Sequence, residues 1–199
     1  VLGGDSGAPR LRRMNVTGTV AMNASLDFEC AAAPALDPAQ LRSVFGQFAT
    51  GVTVVTTRTA SGRRIGLTAN SFSSLSLDPP LILWSLRKAA PSCADFQQAE
   101  HFAVNILAHD QIPLSSHFAR PAEDKFEGVP HTASASTRVP CLEGTSARLI
   151  CRNVGQYEGG DHLIFIGQVE HFDVFGKAPL VFHGGRYQAL AEHPAVAKA

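Results

Sequence analysis

The chain has 199 residues, of which 45% are hydrophobic and only 17% charged, which excludes an intrinsically disordered protein and fits one compact domain with or without a tail. Lys+Arg and Asp+Glu both number 17, so the chain lacks the basic excess with which proteins grip nucleic acid or an anionic membrane. No apolar run approaches the ~18–20 residues of a membrane span, so neither nucleic acid nor membrane is an expected partner.

Residues 1–36 are rich in small residues and show no sustained period; they read as a flexible N-terminal extension. The sequons at Asn15 and Asn23 read as chance matches. Order begins at Asp37-Pro38, where Asp is a good N-cap and Pro suits the first helical position. Leu41, Val44, Phe45 and Phe48 recur at helical spacing and predict an amphipathic helix over 38–48, ended by Gly51. Val52 to Thr59 is β-branched nearly throughout and predicts a strand. Ser61-Gly62 is a turn, and a second strand runs from Arg63 toward Thr68. Residues 70–76 are too hydroxyl-rich for a core element, and Asp78-Pro79-Pro80 reads as a stiff extended stop.

Leu81 to Leu86 predicts a buried strand, Ser92 to Ala99 a short helix with Ser92 as N-cap, Phe102 to Leu107 a strand, and 110–119 a second short helix. The last third reads as strand. Ala147 to Tyr157 and His162 to Phe175 flank the turn Glu158-Gly159-Gly160-Asp161, and Leu180 to Phe182 closes the series. Six or seven antiparallel strands with three short helices predict a mainly β chain built as a small Greek-key barrel. The barrel domain is expected over 37–190, with 191–199 as a C-terminal tail. Cys30, Cys93, Cys141 and Cys151 form no C-x-x-C pair and no zinc spacing, so reduced structural thiols and a cytoplasmic location are expected. No metal site is legible.

Neither a P-loop, a G-x-G-x-x-G turn, an H-E-x-x-H helix nor a nucleophile elbow is present. Three other constellations could carry chemistry. Gly66 to Phe72, followed by Ser73, Ser74 and Ser76, can present backbone and amide groups to a heteroaromatic ring or polyol, although a Ser-rich loop also satisfies its own backbone. Arg87-Lys88 followed by Ser92 at a helix start suits an anion, although a solvated strand end reads the same way. His162, after the Gly159-Gly160 turn and beside Asp161, could be an acid/base, a ligand, a stacking group or an ordinary surface histidine.

These constellations occur in order within LRSVFGQFATGVTVVTT, GLTANSFSSLSLDPPLILWSL, FAVNILA with LSSHFA, GGDHLIFIGQV and PLVFHGGRY. Together they resemble the flavin reductase-like family, the NAD(P)H:flavin oxidoreductase components of two-component monooxygenases. The resemblance implies an FMN-binding split barrel, a homodimer, FMN or FAD as flavin, NADH or NADPH as hydride donor, and a separate flavin-dependent oxygenase as partner. It implies that Thr68, Ala69, Asn70 and Ser71 wrap the flavin, continued by Ser85, Leu86 and Arg87. It implies that Ser92 sits near the flavin phosphate, that His117 and Phe118 touch flavin, and that His162 lies on the nicotinamide side as the catalytic residue. Phe182, His183, Gly184 and Gly185 match the segment that helps hold the dinucleotide.

Two departures bear on grip. Ala89-Ala90-Pro91-Ser92 replaces the family's usual K-x-S-x-S/T-like run, which implies fewer phosphate contacts. Gly184 stands where an F-x-R-G block carries Arg. The same barrel also hosts proteins that only bind flavin or carry electrons, which is the alternative reading.

Overall fold

A computed structural model describes residues 36–193. The readings of residues 1–35 as an extension, of Asn15, Asn23 and Cys30, and of the tail beyond residue 193 lie outside the described residues. The described chain forms twelve strands and three helices, all strand pairings being antiparallel.

The first helix, α1 (Pro38–Phe45), starts as its sequence predicts: the Asp37 carboxylate accepts from the Ala39 N–H at 2.9 Å and Pro38 takes the first turn. It stops at Gly46 rather than at Gly51. It also buries none of its residues, and Val44 and Phe45 of its apolar face are exposed.

Strands β1 (Thr50–Gly51), β2 (Thr53–Arg58) and β3 (Arg64–Ala69) follow. The segment read as a hydroxyl-rich loop contains a strand, β4 (Ser73–Leu77), which pairs with β5 (Pro80–Arg87). Asp78-Pro79 is therefore the turn of a hairpin and not an extended stop. The chain continues through α2 (Cys93–Gln98), β6 (His101–Ile106) and α3 (Ile112–Ala119). A small hairpin of β7 (His131–Ala133) and β8 (Pro140–Leu142) comes next, then the long strands β9 (Ala147–Gly159) and β10 (His162–Val174). A two-residue turn joins these, with Gly160 at φ +63°, a conformation L side chains avoid. Beyond the last strand anticipated, β11 (Val181–His183), lies β12 (Arg186–Gln188).

Seven strands form one sheet in the order β3-β2-β6-β9-β10-β5-β4. Its two edge strands, β3 and β4, are joined by only Asn70-Ser71-Phe72. That link spans at most about 15 Å, whereas a flat seven-stranded sheet would be about 29 Å wide. The sheet must therefore curl until its edges face each other, giving a barrel split between β3 and the β4–β5 hairpin.

The barrel interior holds Trp84, Phe96, Phe102 and Phe165, all fully buried. Trp84 stacks on Phe165 at 4.7 Å and meets Phe96 edge-on at 5.0 Å, so α2 is docked onto the barrel by aromatic contact. A second cluster of Val52, Val54, Leu107, Phe118, Phe126, Leu142 and Leu180 packs α3 against the same strands. Between them these two clusters fix both helices that border the split.

Candidate functional site

A cavity of about 540 Å³ opens at the split. It runs along β3, crosses Asn70 and Ser71, and reaches the end of β5 at Ser85 to Arg87. Ala90 to Ser92 and Asp95 of α2 line one side, residues 118–123 and Lys125 the other, and His162 of β10 completes the rim. Because β3 pairs only with β2, its second row of backbone N–H and C=O groups has no strand partner and borders the cavity.

Of the residues singled out in the sequence, Thr68, Ala69, Asn70, Ser71, Ser85, Leu86, Arg87, Ser92, Phe118 and His162 all line this cavity. Register explains part of the convergence: His162 lies opposite Arg87 on the neighbouring strand, although 75 positions separate them in the chain. The Thr68 hydroxyl is committed to the Ser115 carbonyl at 2.6 Å and ties β3 to α3. Ser92 precedes α2 but makes no side-chain cap, which leaves its hydroxyl for other partners. His117 sits behind the wall, its Nε2 donating to the Lys125 carbonyl at 2.8 Å. Phe182, His183, Gly184 and Gly185 are not brought to the cavity. They form the β11–β12 hairpin of a separate three-stranded sheet, where Gly184 and Gly185 take φ of +56° and +77°.

The histidine is oriented by its neighbour. Asp161 Oδ1 lies 2.7 Å from His162 Nδ1, and that hydrogen bond, with the charge of the ring, holds the Asp161 carboxyl below its ordinary range. An ionised carboxylate only accepts, so His162 Nδ1 is the donor in this contact.

Several cavity residues escaped sequence reasoning. Arg63 makes an ion pair with Asp95 of α2, its Nη2 reaching both carboxylate oxygens at 2.9 and 3.0 Å. Arg64 joins Asp124 at 2.7 Å, and Asp124 also accepts from the Phe126 N–H. The Phe126 bond is the larger cause holding the Asp124 carboxyl below its ordinary value; burial opposes it and Arg64 adds to it. Lys125 donates to the Phe118 carbonyl at 2.8 Å, at the C-terminus of α3 where a cation is favoured, and burial lowers its pKa. Segment 120–125 is thus tied to α3 and to β3. The signals were there in the Arg63-Arg64 pair opening a strand and in Arg120 before Pro121, but their partners lie 32 and 60 positions away.

The donor set suits a flat heteroaromatic ring with an anionic tail. Edge-strand amides and Asn70 can meet the polar edge of a ring, while Ser92, Arg87 and Arg120 supply donors and positive charge. Among the described residues no group of three or more His, Cys, Asp or Glu could hold a metal ion.

An antiparallel barrel, split beside a cavity of this kind, is the architecture of the FMN-binding split barrels. The chain belongs to the flavin reductase like family, whose domain model matches residues 45–191. It is 45% identical over 148 residues to the reductase component of the flavin-dependent trigonelline monooxygenase of Acinetobacter baylyi, covering 74% of this chain and 47% of that protein. It is 42% identical over 157 residues to a stachydrine N-demethylase reductase subunit of Rhizobium meliloti, covering 79% of this chain and 68% of that one. Among solved structures it resembles the NADH:FAD oxidoreductase of Streptomyces globisporus, determined with NAD and FAD fragments. The TM-score is 0.75 at 38% identity, over 81% of this chain and 99% of that one. The chain spans about half the length of some of these relatives, 47% of the first.

Proposed function

We propose that this protein oxidises NADH or NADPH and reduces FMN or FAD, releasing reduced flavin to a separate flavin-dependent oxygenase. The observation that carries this reading is the cavity at the barrel split, which joins the unpaired edge of β3 to Asn70, Arg87, Ser92 and His162. The names of the relatives, reductase components of monooxygenases, support the same reading. The chemistry is hydride transfer from nicotinamide C4 to flavin N5, and it belongs to the two cofactors. The protein supplies proximity. Asn70 and the β3 amides hold the flavin ring edge, and Arg87 and Ser92 face its phosphate. His162, held by Asp161, seats the nicotinamide over the ring. No side chain has to transfer a proton for the hydride to move.

We further infer a homodimer, supported by the exposed apolar face of α1, and a cytoplasmic location, supported by the free thiols of Cys93, Cys141 and Cys151. The functional domain is taken as 37–190. The deciding experiment is steady-state oxidation of NADH and of NADPH by purified protein, with and without added FMN or FAD. Turnover that requires added flavin is expected. Flavin binding without turnover in any combination would replace the reductase with a flavin-binding electron carrier.

A further inference from the structure

The β11–β12 hairpin lies outside the cavity, yet a chain of hydrogen bonds runs from it to the cavity wall. The Tyr187 hydroxyl of β12 meets the Ser115 hydroxyl of α3 at 3.0 Å. The Ser115 carbonyl in turn accepts from Thr68 Oγ1 of β3 at 2.6 Å. Ser115 is thus a joint between two elements: its side chain takes the hairpin and its backbone takes the strand. Asn70 follows Thr68 by two positions and opens the link that crosses the split.

Three observations make this chain more than an incidental contact. First, its outer end is fixed. Strand β11 pairs with β1, and the Gly184 N–H donates to the Gly46 carbonyl at 2.8 Å. Just before β11, Leu180 donates to the Leu107 carbonyl and accepts from the Val52 N–H. Tyr187 sits opposite Phe182 in the hairpin and their rings meet edge-on at 5.5 Å, so ladder and packing together hold the Tyr187 ring. Second, its middle is dry. Ser115 is 1% exposed, so water does not freely replace the Tyr187 hydroxyl. Third, its inner end bears on a strand with one free side. Strand β3 pairs only with β2, and the Thr68 side chain supplies a tie to α3 near the end of β3 that leads into the split.

We propose that Tyr187 is a positioning residue for the flavin. Through Ser115 it sets where Thr68 lies, and with Thr68 the Ala69–Asn70 stretch that meets the ring edge. This rests on the reductase reading and adds to it a residue that does not line the cavity. Small displacements of a binding wall cost affinity and rate out of proportion to their size, so a distant brace matters. The Tyr187 ring packs on the cluster that holds Phe118 and Leu180, and Tyr187→Phe keeps that ring while removing the hydroxyl.

The test is a double-variant cycle of Tyr187→Phe and Ser115→Ala, read on the dissociation constant of FMN or FAD, on KM for NADH at saturating flavin, and on the urea midpoint. Each single variant should weaken flavin about three- to tenfold, the worth of one hydrogen bond, and the double variant should be no weaker than either. KM for NADH should stay within about twofold, because His162 lies on another strand. A lower urea midpoint with flavin affinity unmoved in Tyr187→Phe would overturn the proposal and leave Tyr187 a purely structural residue. Losses that multiply in the double variant would overturn it as well, since the two hydroxyls would then act separately. Wild-type protein binding neither FMN nor FAD would instead overturn the reductase reading, so the two failures are distinguishable.

Discussion

The hydroxyl of Ser71 sits between the backbone groups of Ser85, accepting from its N–H at 3.0 Å and donating to its carbonyl at 2.9 Å. Strand β4 pairs with β5 only from Ser73 onward, and beyond that point the Ser71 side chain takes the place of a strand. One hydroxyl thus satisfies two backbone groups that the split would otherwise leave bare, and pins the Asn70–Phe72 link across the barrel. Ser71→Ala should lower stability by about 1–3 kcal/mol, the cost of leaving partly buried groups unpaired. Flavin affinity should fall with it, because Asn70 is the next residue. Denaturant titration of the variant alongside flavin binding checks this. Unchanged stability would mean that water replaces the hydroxyl at no cost.

Gly66 faces α3. A Cβ built there would lie 2.5 Å from Phe118 Cε1 and 2.8 Å from its Cδ1, closer than real Cβ contacts. Phe118 is fully buried and packs edge-on against Phe126 at 5.2 Å, so the ring can yield only by giving up that packing. Gly66→Ala should cost about 1–3 kcal/mol by overpacking. Phe118→Leu removes the offending ring atoms, so the double variant should be less destabilised than the two single losses combined. Strict additivity in urea titrations would show that Gly66 is needed for another reason.

Much of this was legible because short-range physics decides it. Val52 to Thr59 can hardly be anything but a strand, and Gly159-Gly160-Asp161 can hardly be anything but a turn. Strand β4 was missed because Ser73–Leu77 is a sheet edge with mostly exposed side chains, where no burial pattern is written into the residues. The α1 periodicity identified a helix but not what covers it; Val44 and Phe45 are each 66% exposed and Phe48 is 79% exposed. At the site, Thr68 to Ser71 stood out as a local motif. The ion pairs Arg63–Asp95 and Arg64–Asp124 did not, since each joins residues brought together only by the closed barrel.

The exposed α1 face gives the dimer reading its own test. A fully buried Val, Leu or Phe side chain stabilises by about 1.5–3 kcal/mol, so three of them on one interface decide an equilibrium. Phe45→Glu combined with Phe48→Glu should convert a dimer to monomer in sedimentation equilibrium. A wild-type monomer, or a dimer indifferent to both substitutions, would remove α1 from the interface.

His162 and Asn70 are assigned to different partners, and kinetics can separate them. His162→Ala should raise KM for the nicotinamide nucleotide about tenfold while leaving the flavin dissociation constant nearly unmoved. Asn70→Ala should weaken flavin roughly three- to tenfold, the worth of one hydrogen bond. Unchanged kinetics for the first variant, or unchanged flavin affinity for the second, would strike that residue from the site.

Alkaline pH offers a check on the core beneath the site. Burial, assisted by the charge of Glu170, pushes the Cys151 thiol from 9.0 up to about 12. Below pH 9 the folded and unfolded chains both keep that proton and the shift is silent. Above pH 9 the unfolded chain releases it while the folded chain retains it, so stability falls as pH rises from 9 toward 12. The loss from this group alone is about 1.4 kcal/mol by pH 10. Cys141 is raised in the same direction by burial and adds to the trend. Cys151→Ala starts lower, because it vacates packed volume, but should lose stability less steeply between pH 9 and 10.5. Urea midpoints of the two proteins across that range read the difference in slope. Parallel curves would mean that Cys151 titrates as an ordinary thiol, and that water reaches the barrel interior beside Phe102.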